Sequence, residues 1–284
     1  MFSVVIPLYN KELSIKNTIQ SVLNQSYQNF EILIINDGSV DGSVDVVKNI
    51  KNERIRLIHQ NNQGVSSARN KGIQEAKYEW IAFLDGDDLW ETNHLEEIVK
   101  MMRIFPDEKV YATSFEFSDK RKMFKHERSS PIFKIDEYFK EAIKENIMWT
   151  SIVVVHKDCF SVVKGFNEKL KYGEDLDLWY RLAQKFDIIK NTKVTAVYRV
   201  DAENRSDHKQ DLYKCFEYYI DLKKTYNNSE KEYLIFLINR RLYSYIRTYE
   251  FKFFFYLIFK HGNTHFFNYL LKKIKEKLYS NFNG

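Results

Sequence analysis

Apolar and polar positions follow two periods along the first 105 residues. "FSVVIPL" (2–8), "FEILIIND" (30–37), "RIRLIHQ" (54–60) and "EWIAFLDGDD" (79–88) are short runs dominated by Val, Ile, Leu and Phe. Such runs predict strands that are apolar on both faces. Between them, "KELSIKNTIQSVLNQ" (11–25), "DVVKNIK" (45–51) and "GVSSARNKGIQEA" (64–76) read as helices; in the first, Leu13, Ile15, Ile19, Val22 and Leu23 fall near helical spacing. Strands alternating with helices predict an α/β fold, a mainly parallel sheet covered on both faces. Right-handed crossovers then align every strand's C-terminal end along one edge. Each run closes on a polar set: Tyr9 and Asn10, Asn36 and Asp37, Gln60 to Gln63, and Asp85 to Asp88. Ligands of open α/β sheets bind outside the carboxyl ends of the strands, so these four sets are expected to meet in one crevice.

After residue 91 the pattern loosens. "HLEEIVKMMRIF" and "EDLDLWYRLAQKF" (174–186) read as helices, the latter with Leu176, Trp179, Leu182 and Ala183 inward. "KVYATSFEF", "SIVVVHKD" and "VTAVYRV" (194–200) read as strands, the last closing this part of the chain. The expected organisation is one domain over residues 1–208, its halves meeting near 105, and a helical extension over 209–284. Hydrophobic residues make up 44% of the 284, enough for a sizeable core, while nine glycines and three prolines leave little for long linkers. The opening residues turn polar too early for a signal peptide. The longest apolar block, "FFFYLIF" (253–259), falls far short of a membrane span. Cys159 and Cys215 have no metal-ligand spacing and are expected to be reduced, as in the cytoplasm. The net charge of +5 sits at one end: residues 251–284 hold six lysines and one glutamate, 6 − 1 = +5, and the rest is neutral.

Three acidic stretches carry candidate chemistry. In "FLDGDDLW", Asp85, Asp87 and Asp88 repel one another unless a cation offsets them. Carboxylates after a strand suit a hard divalent ion bound together with substrate phosphates, and Gly86 removes a side chain where a ligand would approach. The plainer reading is a solvated turn capping the next helix. In "NDGS" (36–39), Asp37 can accept from a nucleobase imide, or the stretch is simply an Asx turn. In "GEDLDLW" (173–179), Glu174 and Asp175 are explained by the helix dipole alone; a carboxylate there can also serve as a general base toward an acceptor hydroxyl.

"SVVIPLYNKE", "EILIINDGSVDGS", "GVSSARNKGI", "WIAFLDGDDLW" and "GFNEKLKYGEDLDLWYRLA", in this order, resemble the family 2 glycosyltransferases of the GT-A fold, over roughly residues 2–200. The resemblance implies an inverting enzyme and a nucleotide-sugar donor, most often a UDP-sugar, bound by the first half. It places Pro7, Tyr9 and Glu12 at the donor, with Tyr9 stacked on the base and Asp37 bonded to it. Arg69 would contact the nucleotide, Asp85 the ribose or sugar beside Gly86, and Asp87 a Mn²⁺ or Mg²⁺ ion bridging the diphosphate, with Asp88 nearby. Asp175 matches the family's base, supported by Glu174. Many relatives carry His after the last "YR"; here Asp201 stands there, which leaves Asp201, Arg205 and His208 as candidates for a closing ligand.

No Q-x-x-R-W follows the base motif, so transfer of one sugar or a few is expected. The acceptor class is a glycan or lipid-linked oligosaccharide at the inner face of a bacterial membrane. A catalytically silent sugar-nucleotide or glycan-binding module on the same fold is the rival reading. A dehydrogenase or pyrophosphorylase is disfavoured because strand one leads into "PLYNKE" without a glycine-rich loop. In the extension, "FFNYLLKKIKEKL" aligns Phe266, Leu270, Ile274 and Leu278, with Phe267 and Leu271 beside them and Lys272, Lys273, Lys275 and Lys277 opposite. This stripe either packs on protein, the chain's own domain or a second copy in a homo-oligomer, or lies on an anionic membrane surface as a peripheral anchor. No nucleic-acid module is recognisable.

Overall fold

A computed structural model describes residues 1–121, 123, 128–204, 210–224, 226–262 and 266–271. The chain divides into two compact units, Met1–Arg205 and Ser206–Gly284. Arg205, His208 and residues 272–284, with their lysines and the far half of the predicted stripe, lie outside the described residues.

The first unit opens with β1 (Phe2–Leu8), α1 (Ile15–Leu23), β2 (Phe30–Asp37), α2 (Ser43–Asn49), β3 (Ile55–Gln60), α3 (Val65–Glu75) and β4 (Trp80–Phe83). These four strands pair in parallel in the order β3-β2-β1-β4, the architecture that their two-sided apolar pattern demands. Every residue of β2 is buried. Pro7 is tolerated in central β1 because β4 pairs only as far as Val5.

The unit continues with β5 (Leu89–Trp90), α4 (His94–Ile104), β6 (Val110–Phe117), β7 (Ile132–Lys134), α5 (Tyr138–Ala142), β8 (Val153–His156), α6 (Asp158–Val163), α7 (Glu174–Ala183) and β9 (Ile188–Tyr198). The sheet extends as β4-β8-β6-β9-β5, with β7 on β9. Here only β6 and β9 are parallel; the β4–β8, β6–β8, β5–β9 and β7–β9 pairs are antiparallel. β9 begins six residues before the predicted strand. Its early residues Lys190 and Asn191 are both buried, Lys190 Nζ donating to the carbonyls of Thr113 (2.5 Å) and Ile147 (2.9 Å). A satisfied polar head lets a lysine occupy a strand interior that its residue type argues against.

Two contacts set the geometry of the edge. A Cβ on Gly72 would stand 2.2 Å from Val5 Cγ1, so glycine lets α3 lie directly on β1; Arg69, one turn earlier, is thereby carried to the strands' C-terminal ends. In α7 the buried face is Leu178, Trp179 and Leu182, each worth roughly 1.5–3 kcal/mol of burial. Leu176 and Ala183, expected inward, are only half-buried, because the inward face is centred on 178 and 182.

The second unit holds α8 (Phe216–Tyr219), the twenty-residue α9 (Asn228–Arg247) and α10 (Phe251–His261). Asn227 caps α9 by accepting from the Glu230 N–H at 2.8 Å. Inside, Glu217 and Arg241 form a buried ion pair at 3.2 Å. "FFFYLIF" belongs to α10. Residues 266–271 are helical; Phe266 is buried and Leu270 half-buried, whereas Phe267 and Leu271 face outward. The described start of the predicted stripe thus faces inward. Among the described residues no helix is long and apolar enough to cross a membrane.

Candidate active site

The four polar strand ends do meet along one edge. The Asn10 N–H donates to Ser39 Oγ at 3.1 Å and the Val40 N–H to Asn10 Oδ1 at 2.9 Å, joining the ends of β1 and β2. Glu12 accepts from the Gly42 N–H at 3.0 Å. Asp37 is buried, and its carboxylate accepts from Gln60 Nε2, the Gln63 N–H and the Gly64 N–H, each at 2.8 Å. It therefore ties β2 to the turn before α3, while Asn36 Oδ1 takes the turn bond from the Ser39 N–H. Tyr9 stands exposed at the end of β1. Gly86 has a structural cause that its sequence context hides: a Cβ there would lie 2.9 Å from the Pro7 carbonyl oxygen. The glycine lets the aspartate turn close on β1, rather than simply leaving space for a ligand.

Arg69 organises the centre. Its guanidinium is 3% exposed, donating from Nη2 to Asp85 Oδ1 at 2.6 Å and from Nη1 to Glu174 Oε1 at 2.9 Å. The Phe166 ring lies 5.0 Å beneath it. Burial opposes its charge, yet Asp85 and Glu174 hold the guanidinium protonated above its ordinary range. The two acidic motifs are thus clamped to one cation. Glu174 opens α7 after Gly173, whose left-handed φ of 72° suits glycine. Burial, helped by the Asp175 charge and opposed by Arg69, pushes Glu174 up to about 7. Asp175, beside it in the first turn, accepts from the Leu176 N–H at 2.8 Å.

The other two aspartates part company. Asp87 Oδ2 accepts from Lys11 Nζ at 2.7 Å, and the same ammonium donates to the carbonyls of Glu203 and Asn204. Glu203 in turn accepts from the Ser14 N–H at 3.0 Å, and Asn204 Nδ2 donates to the Asn10 carbonyl at 2.6 Å. Residues 203 and 204 are thereby strapped over the start of α1. Asp88 turns inward; it is 1% exposed, accepting from Ser151 Oγ at 2.5 Å and the Arg199 N–H at 3.2 Å. Burial, with Asp85 and Asp87 adding repulsion, pushes it up to about 8. Asp201 lies at the surface, 3.8 Å from Arg199 Nε. The crowding of "DGDD" is thus resolved within the chain: Arg69 faces Asp85, Lys11 faces Asp87, and Asp88 is held toward its neutral form. These partners add to the cation expected from sequence: the chain itself already offsets part of the cluster's charge.

Lys11, Ser151, Glu203 and Asn204 were not singled out from sequence. Lys11 lay inside the quoted "YNKE" but carried no signal of its own, since a lysine beside a helix start is ordinary. Among the described residues no three His, Cys, Asp or Glu side chains come together as a metal-ligand set. Among the described residues a closed protein cage is absent; a single carboxylate such as Asp87 would suit a divalent ion whose shell is completed by ligand oxygens, the habit of Mg²⁺ and similar ions.

The Asp88 environment predicts a pH dependence. The folded state keeps a proton that the unfolded chain gives up near pH 4. That contribution is complete below about pH 4 and is lost as the pH rises toward 8. Metal-free protein is expected to lose unfolding free energy between pH 5 and 8, and Asp88→Asn to make this decline shallower. Urea unfolding at the two pH values measures it; identical declines would remove Asp88 as the cause.

A mixed sheet whose parallel half ends in an acidic turn clamped to a helix N-terminus is the GT-A fold, and solved structures agree. S. aureus TarS in complex with UDP-GlcNAc matches with a TM-score of 0.61 at 17% identity, over 85% of this chain and 66% of that one. The mannosyltransferase PcManGT of Pyrobaculum calidifontis, in complex with GDP-Man and Mn²⁺, matches with a TM-score of 0.57 at 15% identity, over 88% and 64%. Residues 3–163 match the sequence model of Glycosyl transferase family 2, and the chain belongs to that family. An uncharacterised glycosyltransferase of Rickettsia bellii is 32% identical over 71% of this chain and 29% of its own length. The chain spans well under half the length of the first curated relatives it matches.

Proposed function

We propose that the first unit transfers a sugar from a nucleotide-sugar donor to a hydroxyl of a glycan or lipid-linked oligosaccharide, inverting the anomeric centre. The observation that carries this is the Arg69 clamp, which joins the aspartate turn to the α7 N-terminus through bonds spanning 16 and 105 residues of sequence. Such a cluster sits where an open α/β sheet binds its ligand. The donor-bound relatives of the fold support the donor class: TarS was solved in complex with UDP-GlcNAc, PcManGT in complex with GDP-Man and Mn²⁺.

In this reading Pro7, Tyr9, Glu12, Asp37 and Gly86 border the donor, with Tyr9 against the base. Asp85 holds the ribose or sugar while Arg69 keeps it in place. Asp87 would hold a divalent cation, which when bound would supply positive charge to the departing diphosphate. Asp175 accepts the proton of the acceptor hydroxyl. That oxygen bonds to the anomeric carbon as the bond to the diphosphate breaks, and the nucleoside diphosphate leaves with its electron pair. One displacement from the opposite face inverts configuration. Asp201, Arg205 and His208 are the candidates to close over the diphosphate, and Lys11 already reaches the strap that precedes two of them.

The test is nucleoside diphosphate release from a panel of UDP-, GDP- and dTDP-sugars with Mn²⁺, alone and with candidate acceptors. Release from one donor is expected; none from any donor or acceptor would overturn the reading. Lys11 gives a second check. Its ammonium competes with a metal for Asp87, so Lys11→Met is expected to tighten Mn²⁺ about fivefold, on the order of 1 kcal/mol for a partly buried pair. Electron paramagnetic resonance of free Mn²⁺, with UDP or GDP present, reads the affinity. Unchanged or weaker binding would take Lys11 out of the cation's position.

A further inference from the structure

The second unit carries a surface that the catalytic reading does not use. On α10, Phe251, Phe255 and Phe259 are 49%, 53% and 83% exposed. Spaced i, i+4 and i+8, they form one ridge. One residue on, Lys252, Tyr256 and Lys260 form a parallel row, exposed as residues, although the Lys260 ammonium donates to the Tyr218 carbonyl and lies 4.6 Å over the Tyr218 ring. On the opposite side Leu257 is buried and seats the helix in its own unit. Tyr256 stacks on Tyr218, centroids 5.8 Å apart, and meets Tyr213 edge-on at 6.1 Å. Tyr213 and Tyr219 are themselves exposed, as are Phe267 and Leu271 farther along. Single exposed apolar residues are ordinary, but a contiguous aromatic ridge marks an interaction site.

We propose that this ridge seats the protein on an anionic lipid bilayer, with α10 lying in the plane of the interface. Eleven residues of helix are about 16 Å long, too short to cross a hydrocarbon core of about 30 Å. The rows sort as an interface sorts them: phenylalanines toward the acyl boundary, tyrosines at headgroup level and Lys252 toward lipid phosphates, while Lys260 is held against Tyr218. Residues 251–284 carry a net +5, which complements an anionic leaflet. A second copy of the chain fits less well, because a self-complementary contact would bring two lysine rows and two such tails together. The membrane surface is therefore assigned to α10, not to the stripe through Phe266 and Leu270, which faces inward where described.

The experiment uses the full chain without donor or acceptor, so its failure leaves the catalytic reading standing. Flotation is measured with phosphatidylcholine vesicles containing phosphatidylglycerol and with pure phosphatidylcholine. Wild type is expected to bind the anionic vesicles and to be weakened by salt. Phe251→Ser, Phe255→Ser and Phe259→Ser together should lower partitioning about tenfold or more, and Lys252→Glu with Lys260→Glu should erase the anionic preference. The tryptophans of the chain all lie within residues 80–179, so Phe255→Trp adds a local reporter; brominated acyl chains should quench its added emission. Absence of that quenching overturns the proposal even if the triple variant fails to fold. So does equal partitioning of a folded triple variant, as would binding through the tail alone. Dimerisation that the triple variant abolishes, without vesicle binding, would make a second copy the occupant and overturn it equally.

Discussion

Asp175→Asn is expected to lower kcat by 10²- to 10⁴-fold, the usual contribution of a positioned general base, while donor affinity changes little. Asparagine keeps the shape of the side chain and its ability to accept from the Leu176 N–H, so the first turn of α7 should survive. What it removes is the acceptor of the hydroxyl proton. Position argues for Asp175 over Glu174 as that acceptor: Glu174 is spent on Arg69 and is pushed up to about 7, so near neutrality it is partly protonated. Asp175 stands at the positive end of α7, which favours a carboxylate. Calorimetry of donor binding beside steady-state transfer separates the outcomes. Unchanged turnover would remove Asp175 as the base. Donor binding in wild type with no turnover toward any acceptor would support the silent binding module instead.

Arg69→Met is expected to destabilise the first unit strongly. It leaves Asp85 and Glu174 facing each other, with Asp175 adjacent, and no guanidinium between them. Removing one partner of a buried pair costs about 3–5 kcal/mol, because the remaining charge stays desolvated. At about 2–4 °C per kcal/mol for a domain of this size, Tm should fall on the order of 10 °C. Arg69→Lys should recover part of the stability, since one ammonium cannot reproduce the fork that serves two carboxylates. If Arg69→Met unfolds at the wild-type temperature, the clamp is not what holds the aspartate turn to α7. Low pH should soften the loss, because a protonated Glu174 no longer repels Asp85; unfolding of Arg69→Met at pH 5 and pH 8 tests that sign.

The two halves of the first unit differ in how plainly they are written in the sequence. Strands β1, β2 and β4 are continuous apolar runs and β3 is a half-exposed, partly polar one; separated by turns, they predict four parallel strands with polar ends on one edge. β5 and β7, with two and three residues, are too short to show any period. The first half of β9 is disguised by Lys190 and Asn191. In the second unit, the block "FFFYLIF" is plain in the sequence, but not which face of α10 is outward.

Sequence alone determined which residue types stand at two strand ends and at one helix start: "DGDD", "NDGS" and "GED" follow from local order, and so does the α/β class, because periodicity is a property of neighbouring residues. Only the tertiary structure decided how those carboxylates divide. Asp85 meets Arg69, Asp87 meets Lys11 and Asp88 turns in to Ser151, pairings that span 16, 76 and 63 positions. A charge does not know its partner until packing brings a distant segment within hydrogen-bond range, and here that packing depends on α3 lying flush on β1 through Gly72.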